Sequence, residues 1–209
     1  MTGDKLAIGA VAALAALGLA KRRGGRNLPP GFNEKIDELI SAGRIKQAIE
    51  LSKTFDVPLD LKGRNLTGVG HGLVGADLSG LDMRGVKLDG VVMTGVSLTN
   101  ADLRGARMSR ARVDEADLTG ADLTHAVLRS ADFEDSVLQD ANMEHADLRN
   151  ADFSDANLTG AVLRSAHLEG AFFHGAKLDG ADLRGSFSHY TTSWPKGFIP
   201  PPTVIASRR

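Results

Sequence analysis

From residue 71 to residue 185 the chain keeps a five-residue period almost without error. Read in fives, it begins His71-Gly-Leu-Val-Gly, continues Ala76-Asp-Leu-Ser-Gly and closes on Ala181-Asp-Leu-Arg-Gly, 23 units in 115 residues. The third place always holds a large apolar residue: Leu, Met or Phe, and once Val113. After His71 the first place is small or apolar, and from Ala101 onward it is Ala except at Ser136. A period of five fits neither the 3.6-residue turn of an α-helix nor the two-residue alternation of a strand. Strict self-similarity at a short period belongs instead to a solenoid, where each unit buries its apolar face only by stacking on its neighbours.

The chemistry of the places agrees. Leu, Met and Phe at the third place fill an interior. Ala at the first place stays small because inward positions crowd a narrow coil. Gly, Asn or Asp at the fifth place suits tight corners, and the remaining Thr, Ser and Asp face solvent. Leu59-Asp-Leu-Lys-Gly and Arg64-Asn-Leu-Thr-Gly add a partial coil, and Val69 and Gly70 then break the register, so a bulge or loop is expected there.

This A(D/N)LXX pattern resembles the pentapeptide-repeat family over more than half of the chain. The resemblance implies a mainly β fold: a right-handed four-sided β-helix of about six coils, one unit per side and four units per coil. Residues 20 apart then stack. Phe133, Phe153 and Phe173 form an internal ladder continued by Val113, Met93 and Leu73, read as core packing rather than a ligand site. The first complete coil carries bulkier first-place residues, Leu81, Val86, Val91 and Val96, so that end is wider or is covered by what precedes it.

Taking every fourth unit sorts the outward residues onto sides. One side gathers Asp114, Glu115, Asp132, Glu134, Asp135, Asp152 and Asp155 as a candidate acidic interaction face. Its neighbour carries Lys87, Arg107, Arg110, Arg129 and Arg149 as a candidate basic face, while Arg112 softens the lower end of the acidic side. The acidic stripe reads as a solvated face, as a DNA mimic like the family's quinolone-resistance members, or as a site for a hard cation such as Ca²⁺. Those quinolone-resistance relatives lack an N-terminal apolar segment, so this chain departs from them. His125 and His145, also 20 apart, stack beside Glu144; the readings are two exposed corner histidines or a Zn²⁺ pair. His167, His174 and His189 show no matching pairing.

The ends lie outside the period. Residues 6–20 carry no polar side chain and are followed by Lys21, Arg22, Arg23 and Arg26. As a helix this run is shorter than the ~20 residues that usually cross a bilayer, although Lys5 and Lys21 extend its reach by snorkelling. A basic cluster after the apolar run is the order of an N-out, C-in anchor and makes a poor signal peptide. Residues 1–26 are thus expected to touch a membrane with a cytoplasmic rod, or to pack as an Ala-rich helix on the protein or an assembly partner; a soluble cytoplasmic chain is the alternative. Residues 27–58 read as linker and helical hairpin: Asn33 caps a helix over Glu34–Ile40, Ser41-Ala42-Gly43 breaks it, and a second amphipathic helix runs from Arg44 to about Phe55. The hairpin is expected to cap the wide end of the rod, since a solenoid hides its terminal edge. After Gly185 the period fails. The tail over residues 186–209, with Thr191-Thr-Ser-Trp-Pro-Lys-Gly-Phe198, is similar to one seen after many bacterial arrays of this family. Trp194 and Phe198 are expected to close the last coil or to contact a second copy in a homodimer.

Charge is uneven behind a net of −1: residues 71–185 carry −8, residues 1–70 carry +4 and residues 186–209 carry +3. There is no Cys, hence no disulfide framework, thiol nucleophile or thiolate metal site. No P-loop, G-x-G-x-x-G turn, H-E-x-x-H or G-x-S-x-G is present. No catalytic, cofactor or metal set is therefore assigned, and no direct nucleic-acid binding is expected. The reading is a non-enzymatic scaffold or binding module, tethered to a membrane or macromolecular assembly, that presents charged flat faces to a protein partner. The alternatives are a DNA-mimic inhibitor of a type II topoisomerase and a structural protein of a phage or virus particle.

Overall fold

Each five-residue unit makes one straight side and one corner. The third-place carbonyl accepts from the N–H of the next first place, as in Val86 N–H to Met83 O at 3.1 Å. The fifth-place residue between them is left-handed, for example Gly85 at φ 64. That pairing of bond and dihedral is a type II turn. Gly fills most corners without steric cost. Asn, Asp, Ser, His, Arg or Glu fills the rest at φ between 53 and 59, from Ser165 to His125.

The second place of each unit bridges in parallel to the residue 20 positions on, from Asp77 with Ser97 to His167 with Phe187. Four units therefore complete one turn, and the bridges line up in four columns. Side one runs through Asp77, Ser97 and Asp117, and side two through Asp82, Asp102 and Asp122. Side three runs through Lys87, Arg107 and Val127, and side four through Val92, Arg112 and Asp132. The result is a four-sided parallel β-solenoid, as the family resemblance implies. The computed structural model describes residues 31–200 and the backbone of Val204–Ile205.

First- and third-place side chains supply the core: Ala106, Ala121, Leu118, Met108 and Val113 are fully buried. The single first-place exception explains itself: Ser136 is buried, and its hydroxyl donates to Phe133 O at 2.6 Å. Phe133, Phe153 and Phe173 stack as expected, with centroids 5.0 and 5.1 Å apart and rings within 5° of parallel. The bulky first-place residues Val86, Val91 and Val96 are buried as well, while Leu81 is half-buried.

Both irregular ends of the repeat resolve into insertions. Asn65 pairs with Lys87, 22 positions on, because Val69 and Gly70 add two residues that turn through the Val69 N–H to Leu66 O and Gly72 N–H to Val69 O bonds. At the other end the period does not stop at Gly185, which corrects the sequence expectation. Ser186–Tyr190 forms one more unit: Ser186 is buried at the first place and Phe187 bridges His167. One extra residue then shifts the next bridge to Phe172 with Ser193, 21 apart. Phe187–Ser188 (β1) also pairs in parallel with Val204–Ile205 (β2), in register Phe187 to Val204.

The chain divides into two compact units between Leu59 and Asp60. In the first, two helices, Phe32–Ser41 (α1) and Ile45–Phe55 (α2), form a hairpin. Helix α1 starts earlier than Asn33 and Glu34 suggested, and Asn33 is not its cap. Gly31, at φ 78, holds the cap position with no side-chain bond, and Phe32 packs edge-on against Phe55 at 5.3 Å, so apolar contact sets the start. Gly43, at φ 70, ends the helix in a Schellman motif, with Arg44 N–H on Leu39 O and Gly43 N–H on Ile40 O. Among the described residues no helix is long and apolar enough to cross a membrane. The apolar run over residues 6–20 lies outside the described residues.

Candidate functional site: the charged sides of the solenoid

Side four gathers the acidic residues as expected. Asp132 and Asp152 occupy successive bridge positions, and Glu115, Asp135 and Asp155 occupy successive left-handed corners at φ 56, 56 and 57. Asp114 and Glu134 stand at the fourth place of two adjacent coils. Desolvation first, then repulsion from Asp132, Asp135, Asp152 and Asp155, holds the Glu134 carboxyl above the usual glutamate range. Arg112 answers part of the charge at the lower end, 3.5 Å from Asp114 and 4.0 Å from Asp132. Asp114 also accepts from Thr94 at 2.9 Å. Phe172 stands 47% exposed at the bridge position above Asp152, an apolar neighbour to the acidic column.

Side three differs from its sequence description. Arg129 and Arg149 both bind Asp147, at 2.6 and 2.7 Å, a carboxylate of the same side. Burial opposes the charge on Asp147, but the bonds from Arg149 and Arg129 outweigh it and pull its pKa down to about 2. Arg107 binds Asp89 at 3.2 Å. Only Lys87 and Arg110 of the candidate basic face stand without an ion pair among the described residues. The side that reads as basic in sequence is therefore largely neutralised by its own acids.

The sequence reading missed a set of rungs on side two. Arg84 binds Asp82 at 2.5 Å and reaches Asp102 in the next coil at 3.5 Å. Arg104 repeats the step, on Asp102 at 2.6 Å and Asp122 at 3.7 Å. Higher up, Arg164 and Arg184 share Asp182 at 2.5 and 2.7 Å. These hydrogen bonds lower the pKa of Asp82, Asp102 and Asp182 and raise that of Arg104. The signal was available as Asp-x-Arg, since residues two apart on an extended segment share a face. It occurs at Asp82-Met-Arg84, Asp102-Leu-Arg104, Asp147-Leu-Arg149 and Asp182-Leu-Arg184.

His125 and His145 stack face to face, centroids 4.9 Å apart and rings within 6° of parallel. His167 does have a partner 20 positions on, Phe187, at 4.7 Å, which the apparent end of the period concealed. Its Nδ1 also lies 3.4 Å from Glu169. Among the described residues, no group of three or more His, Cys, Asp or Glu is placed to hold a metal ion. At the C-terminal end Trp194 stacks on Phe173, 5.0 Å apart and 4° from parallel, and Phe198 lies 5.5 Å from Trp194. Trp194 thus extends the interior aromatic column by one rung. Tyr190 and Ile199 remain exposed nearby.

A family model for pentapeptide repeats matches in eight copies, over residues 73–112, 116–155 and 156–187. Among solved structures, the chain is similar to Rfr23 of the cyanobacterium Cyanothece 51142, with 26% identity over 52% of this chain and 90% of that one, at a TM-score of 0.46. It is also similar to HetL of the cyanobacterium Nostoc sp. strain PCC 7120, a protein involved in heterocyst differentiation regulation. Identity there is 24% over 68% of this chain and 82% of that one, at a TM-score of 0.38. A trypsin-treated QnrB1, a plasmid-mediated fluoroquinolone resistance protein, shows 22% identity over 65% of this chain and 74% of that one, at a TM-score of 0.40. No curated protein sequence matches the chain.

Proposed function

The chain belongs to the pentapeptide-repeat family, and from that premise we propose that it is a non-enzymatic binding module whose fourth side meets a basic surface on a protein partner. One observation carries this reading. Among the described residues, Arg84, Arg104, Arg164 and Arg184 on side two and Arg107, Arg129 and Arg149 on side three bind carboxylates of their own side, whereas the seven acids of side four form ion pairs only with Arg112. Uncompensated charge on a rigid, flat column steers and orients an oppositely charged partner. The exposed Phe172 beside it offers an apolar contact of the kind that anchors an interface.

The test uses equal changes of charge on different surfaces. One variant carries Asp132→Asn, Glu134→Gln and Asp152→Asn; the control carries Glu50→Gln, Asp60→Asn and Asp179→Asn. With a lysine-rich peptide as probe, the first variant is expected to lose at least about tenfold more affinity than the control. Equal losses would show that net charge alone acts.

Residues 6–20 with their basic flank would then hold the module at a membrane or within an assembly. Flotation with anionic vesicles checks this. Full-length protein should float and a chain lacking residues 1–26 should not, and identical partition of the two removes the tether from the proposal. The same carboxylate column supports a second reading, mimicry of DNA at a type II topoisomerase. A gyrase supercoiling assay separates the readings: inhibition that the side-four variant loses favours mimicry, and no inhibition by micromolar protein dismisses it.

A further inference from the structure

We propose that His125 and His145 form a two-histidine site for a divalent first-row transition ion such as Cu²⁺, Ni²⁺ or Zn²⁺. Both occupy exposed fifth-place corners of side two in consecutive coils, with rings 4.9 Å apart and 6° from parallel. Imidazole holds such ions at ~2.0–2.1 Å, so an ion bridging two ring nitrogens spans about 4 Å. Imidazole binds through a lone pair in the plane of its ring, so the two stacked rings must turn about χ1 and χ2 until those lone pairs converge on one ion, and exposed corner side chains are free to make that turn. The corners themselves are fixed. The backbone His125 N–H donates to Glu144 O at 3.0 Å and the backbone His145 N–H to Arg164 O at 2.9 Å, so the two corners that carry the imidazoles are held in register before any ion arrives.

A second observation points to the same place. The fourth-place column of side two reads Arg84, Arg104, Thr124, Glu144, Arg164, Arg184. On this side, the two units that end in histidine are the two whose fourth place is not arginine. A guanidinium beside each imidazole would repel a metal cation; here a hydroxyl and a carboxylate stand instead. The flanking arginines are directed elsewhere: Arg104 binds Asp102 at 2.6 Å and lies 3.7 Å from Asp122, and Arg164 binds Asp182 at 2.5 Å. The ion is therefore held by one ring nitrogen from each imidazole, with water completing its shell. Gly105 and Ser165 at the corners below and above limit the protein's imidazoles to two. These ions favour imidazole nitrogen over the carboxylates of side four. Once bound, the ion links two successive coils.

The experiment uses untagged full-length protein stripped with a chelator and titrated calorimetrically with CuCl2, NiCl2 or ZnCl2, with thermal denaturation alongside. The expected result is one ion per chain and a raised melting temperature. His125→Asn and His145→Asn should each weaken binding by about tenfold or more, because a chelate reduced to one ligand loses its second, intramolecular contact. Asn suits the left-handed corner, so these variants keep the fold, and circular dichroism checks that they do. His174→Asn, at an exposed position outside the pair, should bind as the parent does. Absence of binding overturns the proposal, and so does binding that either single variant retains in full or that His174→Asn loses.

Discussion

Asp147 and Glu134 are two carboxylates on adjacent sides whose environments push them in opposite directions. Asp147, 15% exposed, takes bonds from Arg129 and Arg149, and its folded pKa of about 2 lies below the ordinary aspartate value. Its stabilisation is therefore complete above about pH 4 and is lost as pH falls through about 2. Asp147→Asn is expected to cost about 2 kcal/mol at pH 7 in urea titration, a gap that closes toward pH 2. A gap that stays constant with pH would assign the effect to packing. Glu134 has the opposite sign. Its folded pKa is raised, so the stability linked to its proton is present below the unfolded value and is lost as pH rises through the folded one. Glu134→Gln should accordingly match or exceed the parent in stability at pH 7 and lose that advantage at pH 3. A variant less stable than the parent at pH 7 would contradict a crowded side four.

At the scale of the turn, the cost of a corner divides into backbone strain and collision. A Cβ on Gly80, at φ 67, meets nothing within 4 Å, so Gly80→Ala should cost only the left-handed penalty of about 1–2 kcal/mol. Gly175 has the same handedness, at φ 70, but the Asp155 carboxylate of the coil below occupies the place its Cβ would take. Gly175→Ala should therefore lower the melting temperature more than Gly80→Ala, and adding Asp155→Gly should remove the excess. Equal effects of the two glycine variants would exclude the collision. The corners, the interior columns and the stacked histidines were legible in the sequence because each follows from counting to 5 or 20. The carboxylate over Gly175 was not, since it depends on a rotamer. The neutralised side three was legible only in part: Asp147-Leu-Arg149 stands in the sequence, but the second bond to Asp147 comes from Arg129, 18 residues earlier, and depends on a rotamer as well. Trp194 escaped the Phe133–Phe153–Phe173 column because one inserted residue makes its spacing from Phe173 21 instead of 20. Phe32 displaced the Asn33 cap through a contact with Phe55, 23 residues away.

Across the whole molecule, the count of 20 makes the core and sorts the surface at once, so changing it should damage both together. In a solenoid each coil contacts only its neighbours, and stability is a sum of coil and interface contributions. Deleting residues 136–155 removes one whole coil and leaves every later residue on its own side. Phe173 then stacks on Phe133, and the acids of the remaining coils stay aligned. Deleting only residues 136–140 keeps the corner geometry but turns everything above the cut by one side. Phe153 then stands 15 positions from Phe133 and leaves its column, an aromatic stack of about 0.5–1.5 kcal/mol beyond area burial. The same cut separates Asp152 and Asp155 from Asp132, Glu134 and Asp135, and His145 from His125. The expected outcome is that the five-residue deletion is the more destabilising in guanidinium titration, although it removes a quarter as many residues. It should also lose the metal-induced rise in melting temperature, because its histidines no longer share a side. If the five-residue deletion proves the more stable, side-specific packing contributes little, and the repeat tolerates any register that preserves the period.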